Sequence, residues 1–487
     1  MSQILNAPTI LLALGVIQPA TSSEVSGFLA DILPDPSAAP RGALVHDFMK
    51  EREGQGHVIR VELRGGESFY ALTLAGHRYL TVGQRKLRDK LRFFLLRDAH
   101  RVRFRSSDGG ATRLVGDAPT LESSSSIKGC AANNFGHSVP RVRTYWPRIS
   151  RQFDRSTGLS APSSDTFPEW LSFRNRRQCE LAVGIERGQF KLDYEGLAAS
   201  LGVSVKIVSQ VSRRPARHYR SFSIQKKSGG ERKISSPRVF LKVMQWFLDD
   251  FILDGLPVHS SVHSFVTGKS VATNGKLHVC QSYVGSIDIE NYFGSITKAM
   301  VQRLLLENGF LDDEVSLISA LTTLNDTLPQ GAPTSATLSN AILYGFDCDM
   351  AMSCEEAGLV YSRYADDITI SGSSREAVER ALSRAKRQLA NRSFRTNPSK
   401  TRIVSDRARQ VVTGVVVNAV AQPSRTYRRN VRAKFHNAAK QKTPAGVEIR
   451  ALAGHLAYLK MFSSLTGSRQ IAALERDLRK VRAKKQE

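Results

Sequence analysis

The sequence predicts an α+β protein of several domains, from three observations. Apolar residues recur at helical spacing in some stretches, as at Val25, Phe28, Leu29 and Ile32, and alternate in others, as over residues 58–63. Two strand-like runs, Leu359-Val360-Tyr361 and Ile368-Thr369-Ile370, flank a tight acidic turn, the pattern of a hairpin. The chain has 487 residues, 41% of them hydrophobic, enough for real cores and, at roughly 150 residues per domain, for about three domains.

The elements follow in order. Thr21-Ser22-Ser23-Glu24 reads as a helix start, and a second helix runs from Gly42 to about residue 53. Residues 58–63 and 69–74 read as two strands joined by a turn at Arg64-Gly65-Gly66-Glu67. Helices followed by a ribbon make residues 1–82 winged-helix-like. Residues 83–105 are strongly basic with Leu87, Leu91, Phe94 and Leu95 interleaved, which predicts an amphipathic helix with a cationic face. Serine runs and scattered Gly and Pro make the rest of the 83–165 segment a linker. Helices resume over 166–220, where Leu197–Leu201 and then Ser204 read as helix, turn and next helix start.

Lys and Arg number 70 against 44 Asp and Glu, a formal net charge of +26. That balance favours a polyanionic partner, either nucleic acid or an anionic membrane surface. The longest apolar run, residues 10–17, is too short to span a membrane and lacks the basic flank of a secretory signal, so a soluble intracellular protein is expected. Five cysteines with no Cys-x-x-Cys pair argue against a disulfide framework or zinc ribbon. His259 and His263 stand four apart but have no third ligand cluster nearby, so packing or RNA contact outranks zinc.

The chemistry centres on Tyr364-Ala365-Asp366-Asp367. Adjacent carboxylates at a hairpin turn repel one another, and a hard divalent cation relieves that repulsion. Alone, the segment reads equally well as a solvated acidic turn. Asp288, at the end of a second strand-like run and followed five residues later by Phe293, changes that balance. Three carboxylates from two neighbouring strands can hold two Mg²⁺ ions about 4 Å apart, the arrangement that activates a hydroxyl and stabilises a leaving pyrophosphate. Between them in sequence, Leu328-Pro329-Gln330-Gly331 leads through Thr334 and Ser335 into a helix.

These motifs occur in the order and spacing of a reverse transcriptase palm, and the chain resembles that family over residues 197–465. Ser228-Gly229-Gly230-Glu231-Arg232-Lys233 is similar to the fingers hairpin, and Asn397-Pro398-Ser399-Lys400 to the segment after the catalytic turn. The resemblance implies a right-hand polymerase with an antiparallel palm sheet, with fingers and palm over 221–420 and a basic helical thumb over 421–487. It implies Asp288, Asp366 and Asp367 as catalytic metal ligands for two Mg²⁺ ions, with the Ile289 carbonyl as a further contributor. Phe293 would be the steric gate against a ribose 2′-hydroxyl. Gln330 and Gly331 would border the incoming deoxynucleoside triphosphate, and Arg232 and Lys226 would hold its phosphates. Lys400 would either assist the leaving pyrophosphate or pair with a carboxylate. In the thumb, Arg425, Arg428, Arg429, Arg432 and Lys434, with Tyr427, Phe435 and His436 interleaved, suit contacts to RNA phosphates with occasional stacking on bases or sugars.

Within the family the retron branch is most similar. Val412-Thr413-Gly414 matches its Val-Thr-Gly motif. Asn274-Gly275-Lys276-Leu277-His278 is similar to its Asn-Ala-x-x-His element, with Gly275 in place of Ala. The resemblance implies a bacterial cytoplasmic enzyme that copies a cognate structured non-coding RNA into a branched RNA–DNA product, with an effector protein, no membrane partner and a role in phage defence. The alternatives are a defence reverse transcriptase outside the retrons and a nucleic-acid-binding regulator with an inactive palm.

Overall fold

The computed structural model describes residues 7–18, 20–32, 39–62, 68–107, 192–201, 203–225, 229–441, 446–462, 465 and 468–484. The turn at 64–67, the linker from 108 onward, Lys226 and Ser228 lie outside the described residues. The chain divides into two compact units, Met1–Gly255 with Thr297–Ser335, and Leu256–Ile296 with Ala336–Glu487.

The first unit begins with the apolar run as helix α1 (Ala7–Ile17), buried along most of its length. Helix α2 (Ser22–Ile32) starts where expected. The Thr21 amide donates to Glu24 Oε2 at 2.8 Å and the Glu24 amide to Thr21 Oγ1 at 3.1 Å, a reciprocal cap. Helix α3 (Gly42–Gly54) leads into the antiparallel ribbon of β1 (Val58–Glu62) and β2 (Ser68–Leu72), with Val58 opposite Leu72. Ala20 bridges to Tyr70 through both backbone groups, at 3.0 and 2.8 Å. The second strand ends earlier than the alternation predicts, because the Thr73 hydroxyl accepts from the Gly76 amide at 3.1 Å and opens helix α4 (Leu74–Tyr79).

The basic stretch is helix α5 (Val82–Ser107), but its expected cationic face is partly consumed inside the protein. Arg88, Arg92 and Arg97 are buried. Arg88 pairs with Asp89, which also accepts from the amide and hydroxyl of Ser204. Arg92 donates to the carbonyls of Val16, at 3.0 Å, and Leu201, at 2.9 Å. These lie in the last turn of α1 and at the end of α6 (Tyr194–Leu201), where helix carbonyls lack intrahelical donors. Helix α7 (Val205–Arg213) follows. An antiparallel hairpin pairs β3 (Tyr219–Gln225) with β4 (Glu231–Pro237), Gln225 opposite Glu231 at its outer end. Helix α8 (Val239–Phe247) packs against α5, with the Phe93 and Phe240 rings 4.8 Å apart.

The second unit carries the expected antiparallel sheet. Its order is β6 (Val360–Tyr364), β7 (Asp367–Gly372), β5 (Tyr283–Asp288), β8 (Arg402–Ser405), with every neighbouring pair antiparallel. Before β5 in the chain comes helix α9 (Val271–Leu277), and after it the single turn α10 (Tyr292–Ser295). Helices α11 (Thr334–Ile342) and α12 (Tyr344–Glu356) precede β6. Helix α13 (Arg375–Asn391) backs the sheet so closely that a Cβ on Gly285 would stand 2.7 Å from Leu382 and 2.8 Å from Val378.

A small sheet follows, with β9 (Val411–Val412) and β10 (Val415–Val416) joined through Thr413 and Gly414, at φ 47° and 83°, and β11 (Gln422–Pro423) beside β10. The C-terminal helices α14 (Arg425–Lys440), α15 (Gly446–Lys460) and α16 (Arg469–Ala483) share one core with Ala272, Val284, Val412, Val415 and Val417. Phe435, expected among the nucleic-acid contacts, is fully buried in that core. Its spacing from Val431 and Ala438 is the apolar stripe of an amphipathic helix.

Candidate active site

The site is built on the β5–β7 pairing. Asp288 ends β5, Asp367 begins β7, and the two are direct cross-strand partners. Tyr364 pairs with Asp367, so Ala365 and Asp366 form a two-residue hairpin turn. The Ile289 amide donates to the Asp366 carbonyl at 2.9 Å, which ties the residue after Asp288 to the turn. Register thus brings the three carboxylates to one end of the sheet. Nothing in the geometry assigns a ligand role to the Ile289 carbonyl.

The electrostatics follow from that crowding. Burial first, then the charges of Asp366 and Asp288, push the Asp367 carboxyl up to about 7, against the opposing pull of Arg402 and Lys400. Oxygen donors of like charge held this close are the set a hard divalent cation takes. The donors therefore fit a hard divalent cation in type and charge. Among the described residues, however, no three side chains of the His, Cys, Asp and Glu kind stand preassembled as a coordination shell. Asp288 instead receives Lys400 Nζ at 2.8 Å from each oxygen. Of the two roles expected for Lys400, the structure displays carboxylate pairing.

Ala365 has φ 56°, a left-handed conformation that costs a non-glycine residue about 1–2 kcal/mol. Both its backbone groups are fastened from within: Ser264 Oγ accepts from its amide at 2.7 Å, and its carbonyl accepts from Arg363 Nη1 at 3.1 Å. Arg363, fully buried, also makes two bonds to Asp347, Nε to Oδ1 at 2.8 Å and Nη2 to Oδ2 at 2.6 Å. Motif spacing gave no sign of this network. Its one trace in the sequence is a cation two residues before the turn, on a strand whose other residues carry no charge. Phe293 is half-buried on α10, beside the buried Tyr292.

The remaining predicted residues fall in two places. Arg232 and the Gln330-Gly331 pair belong to the first unit. Arg232 is exposed on β4, and the Ser235 amide on the same strand donates to the Gln330 carbonyl at 2.8 Å. Gly331, at φ 117°, has Ile234 and the Ser235 carbonyl within 3.0 and 3.2 Å of where a Cβ would be, so only glycine fits. Ser335 Oγ donates to the Pro329 carbonyl at 2.8 Å and fixes the turn entering α11. On α14, Arg425, Arg429, Arg432 and Lys434 are exposed, whereas Arg428 is half-buried. Tyr427, expected to stack, is half-buried and bonds His455 Nδ1 at 2.9 Å, while Lys434 Nζ lies 3.2 Å from His455 Nε2.

The two retron-like elements meet. Asn274 Nδ2 on α9 donates to Thr413 Oγ1 at 3.3 Å, and a Cβ on Gly275 would stand 3.0 Å from Val415, so glycine suits this contact better than alanine. His278 is fully buried between Ser371 and Ser362, at 2.7 and 2.8 Å, and burial lowers its pKa to about 3. It is a neutral structural histidine. His263 bonds Thr273 Oγ1 at 2.9 Å.

Comparison with known proteins identifies the family. The family described as reverse transcriptase (RNA-dependent DNA polymerase) matches residues 224–432. The chain is 34% identical over 291 residues to the retron Mx65 reverse transcriptase of Myxococcus xanthus, across 55% of this chain and 68% of that protein. This chain belongs to the retron-type reverse transcriptases. It is accordingly an RNA-directed DNA polymerase. The retron Mx162 reverse transcriptase of the same organism is 32% identical, over 58% of this chain and 66% of that protein. The retron Ec86 reverse transcriptase of Escherichia coli is 28% identical, over 53% and 81%. Among solved structures, a foamy viral protease-reverse transcriptase in complex with double-stranded DNA aligns at a TM-score of 0.32 and 13% identity, over 55% of this chain and 44% of that one.

Proposed function

We propose that this retron-type polymerase copies part of a cognate structured non-coding RNA into DNA, by two-metal nucleotidyl transfer at Asp288, Asp366 and Asp367, in the service of phage defence. The observation that carries the catalytic part is the cross-strand pairing of Asp288 with Asp367, with Asp366 at the adjoining turn.

In this reading the three aspartates hold two Mg²⁺ ions, which when bound supply a Lewis acid for the primer hydroxyl and for the departing pyrophosphate. Lys400 neutralises Asp288 until the site is occupied and then stands free to meet the phosphates. Phe293 excludes the ribose 2′-hydroxyl. Arg232 and Lys226, from the fingers hairpin, hold the triphosphate, and Gln330 and Gly331 border the nucleotide. Exposed Arg425, Arg429, Arg432 and Lys434, with Arg428 beside them, grip the RNA backbone. The N-terminal helices and ribbon form a winged-helix-like module that contacts the RNA or its product, and an effector protein acts with the complex in the bacterial cytoplasm.

The test is to purify the protein from cells and sequence the nucleic acid bound to it. A single abundant structured RNA joined to DNA supports the proposal; untemplated or homopolymeric DNA refutes the retron-RNA part. Asp366→Asn and Asp367→Asn should each lower synthesis on a primed RNA template by about a thousandfold, the several kcal/mol a metal contributes. Equal activity in parent and variants would remove the aspartates from the mechanism.

A further inference from the structure

A buried guanidinium links the catalytic turn to the residue beside Phe293. Arg363 is wholly inside the protein, where burial opposes its charge and Asp347 compensates. Nε and one Nη2 hydrogen suffice for the carboxylate. Nη1 points to other acceptors: the Ala365 carbonyl at 3.1 Å, the Tyr292 hydroxyl at 3.1 Å and Asn340 Oδ1 at 3.2 Å. One nitrogen therefore holds both the left-handed residue of the catalytic turn and the side chain preceding Phe293.

Tyr292 is fastened at its far end as well. Its hydroxyl donates to the Ser339 carbonyl at 3.2 Å while accepting from Arg363. Its ring lies 5.1 Å from the Phe293 ring at an interplanar angle of 52°, a packed aromatic pair. Because α10 is a single turn, it contributes little rigidity of its own. The Phe293 ring packs against a tyrosine that is itself held at its hydroxyl.

We propose that Arg363, through the Tyr292 hydroxyl, is a positioning residue that fixes Phe293 relative to the catalytic turn and thereby sets discrimination between deoxyribonucleotides and ribonucleotides. This rests on the reading of Phe293 as the gate. The two substrates differ by one oxygen, so a small displacement of the ring changes the ribonucleotide's fit more than the deoxyribonucleotide's.

The experiment compares kcat/KM for a deoxyribonucleotide and the matching ribonucleotide in four proteins: parent, Phe293→Val, Tyr292→Phe and Tyr361→Phe. Tyr292→Phe strands no charge, because Arg363 Nη1 keeps two other acceptors. Tyr361→Phe is the control: it removes another buried hydroxyl of the same network, one that donates to Asp347 at 2.6 Å. The expected result is a large gain in relative ribonucleotide use for Phe293→Val, a gain of about fivefold to tenfold for Tyr292→Phe, and none for Tyr361→Phe. Arg363→Lys, if it folds, should reproduce the Tyr292→Phe ratio, since lysine lacks the fork that serves both partners. If Phe293→Val leaves the ratio unchanged, the gate reading fails and the positioning role falls with it. If Phe293→Val responds but Tyr292→Phe behaves like Tyr361→Phe, the gate stands and the positioning role alone is overturned.

Discussion

At the scale of single residues, Asp367 carries a charge the fold accommodates poorly. Its carboxyl titrates near 7 in the folded protein, above the usual 3.8, because burial and two like charges oppose ionisation. A carboxyl with a raised folded pKa binds its proton more tightly in the native state. The metal-free fold therefore loses stability as pH rises from about 4 through about 7, and gains nothing further below that window. Thermal melting without divalent cation should show Tm falling between pH of about 5 and about 8. Magnesium should restore more of it at the alkaline end, and Asp367→Asn should flatten the profile while lowering synthesis about a thousandfold. A parent Tm that climbs over that interval without metal would contradict this account.

At the scale of elements, the small β9–β10 hairpin is held to α9 by side chains that local propensity does not register. Asn274 reaches Thr413 in a turn whose two central residues both have positive φ. Asn274→Ala should cost about 1 kcal/mol, read as a shift in urea midpoint with the slope unchanged. Helix α14 separates its faces cleanly. Phe435→Ala, on the core face, should cost about 3–5 kcal/mol in chemical denaturation. Replacing exposed Arg425, Arg429, Arg432 and Lys434 by alanine should leave melting almost unchanged. It should flatten the dependence of RNA affinity on salt by about 0.7 in the log–log slope for each phosphate no longer neutralised. A slope equal to the parent's would take the RNA off this face.

At the scale of the whole molecule, the N-terminal segment shares its interior with the polymerase part of the first unit. Arg92 bonds carbonyls of two different helices, Asp89 holds the start of α7, and Phe93 meets Phe240 on α8. Deleting residues 1–107 would expose that face of α8, leave the end of α6 without its Arg92 donor and leave the start of α7 without its Asp89 acceptor. The shortened chain should melt well below the parent, and its loss of synthesis should track its loss of folded protein. A truncated enzyme with parental Tm would show that α5 is a detachable arm.

Local sequence was enough for much of this. Strand alternation, the two-residue acidic turn and the spacing of Asp288 from Phe293 announced the hairpin and its neighbouring strand, because a period of two fixes which residues share a sheet face. The same reasoning overcounted the surface charge of α5 and the aromatics of α14. Charge and ring counts say nothing of which side of a helix is covered, and only packing placed Arg92 against helix ends and Phe435 in the core. The sequence also led to three converging carboxylates and a carboxylate partner for Lys400, but the register that sets Asp288 opposite Asp367, the choice of Asp288 as the partner of Lys400 and the junction made by Arg363 came from tertiary structure. They join residues distant in sequence whose partners are chosen by strand register and by the demand that every buried donor find an acceptor.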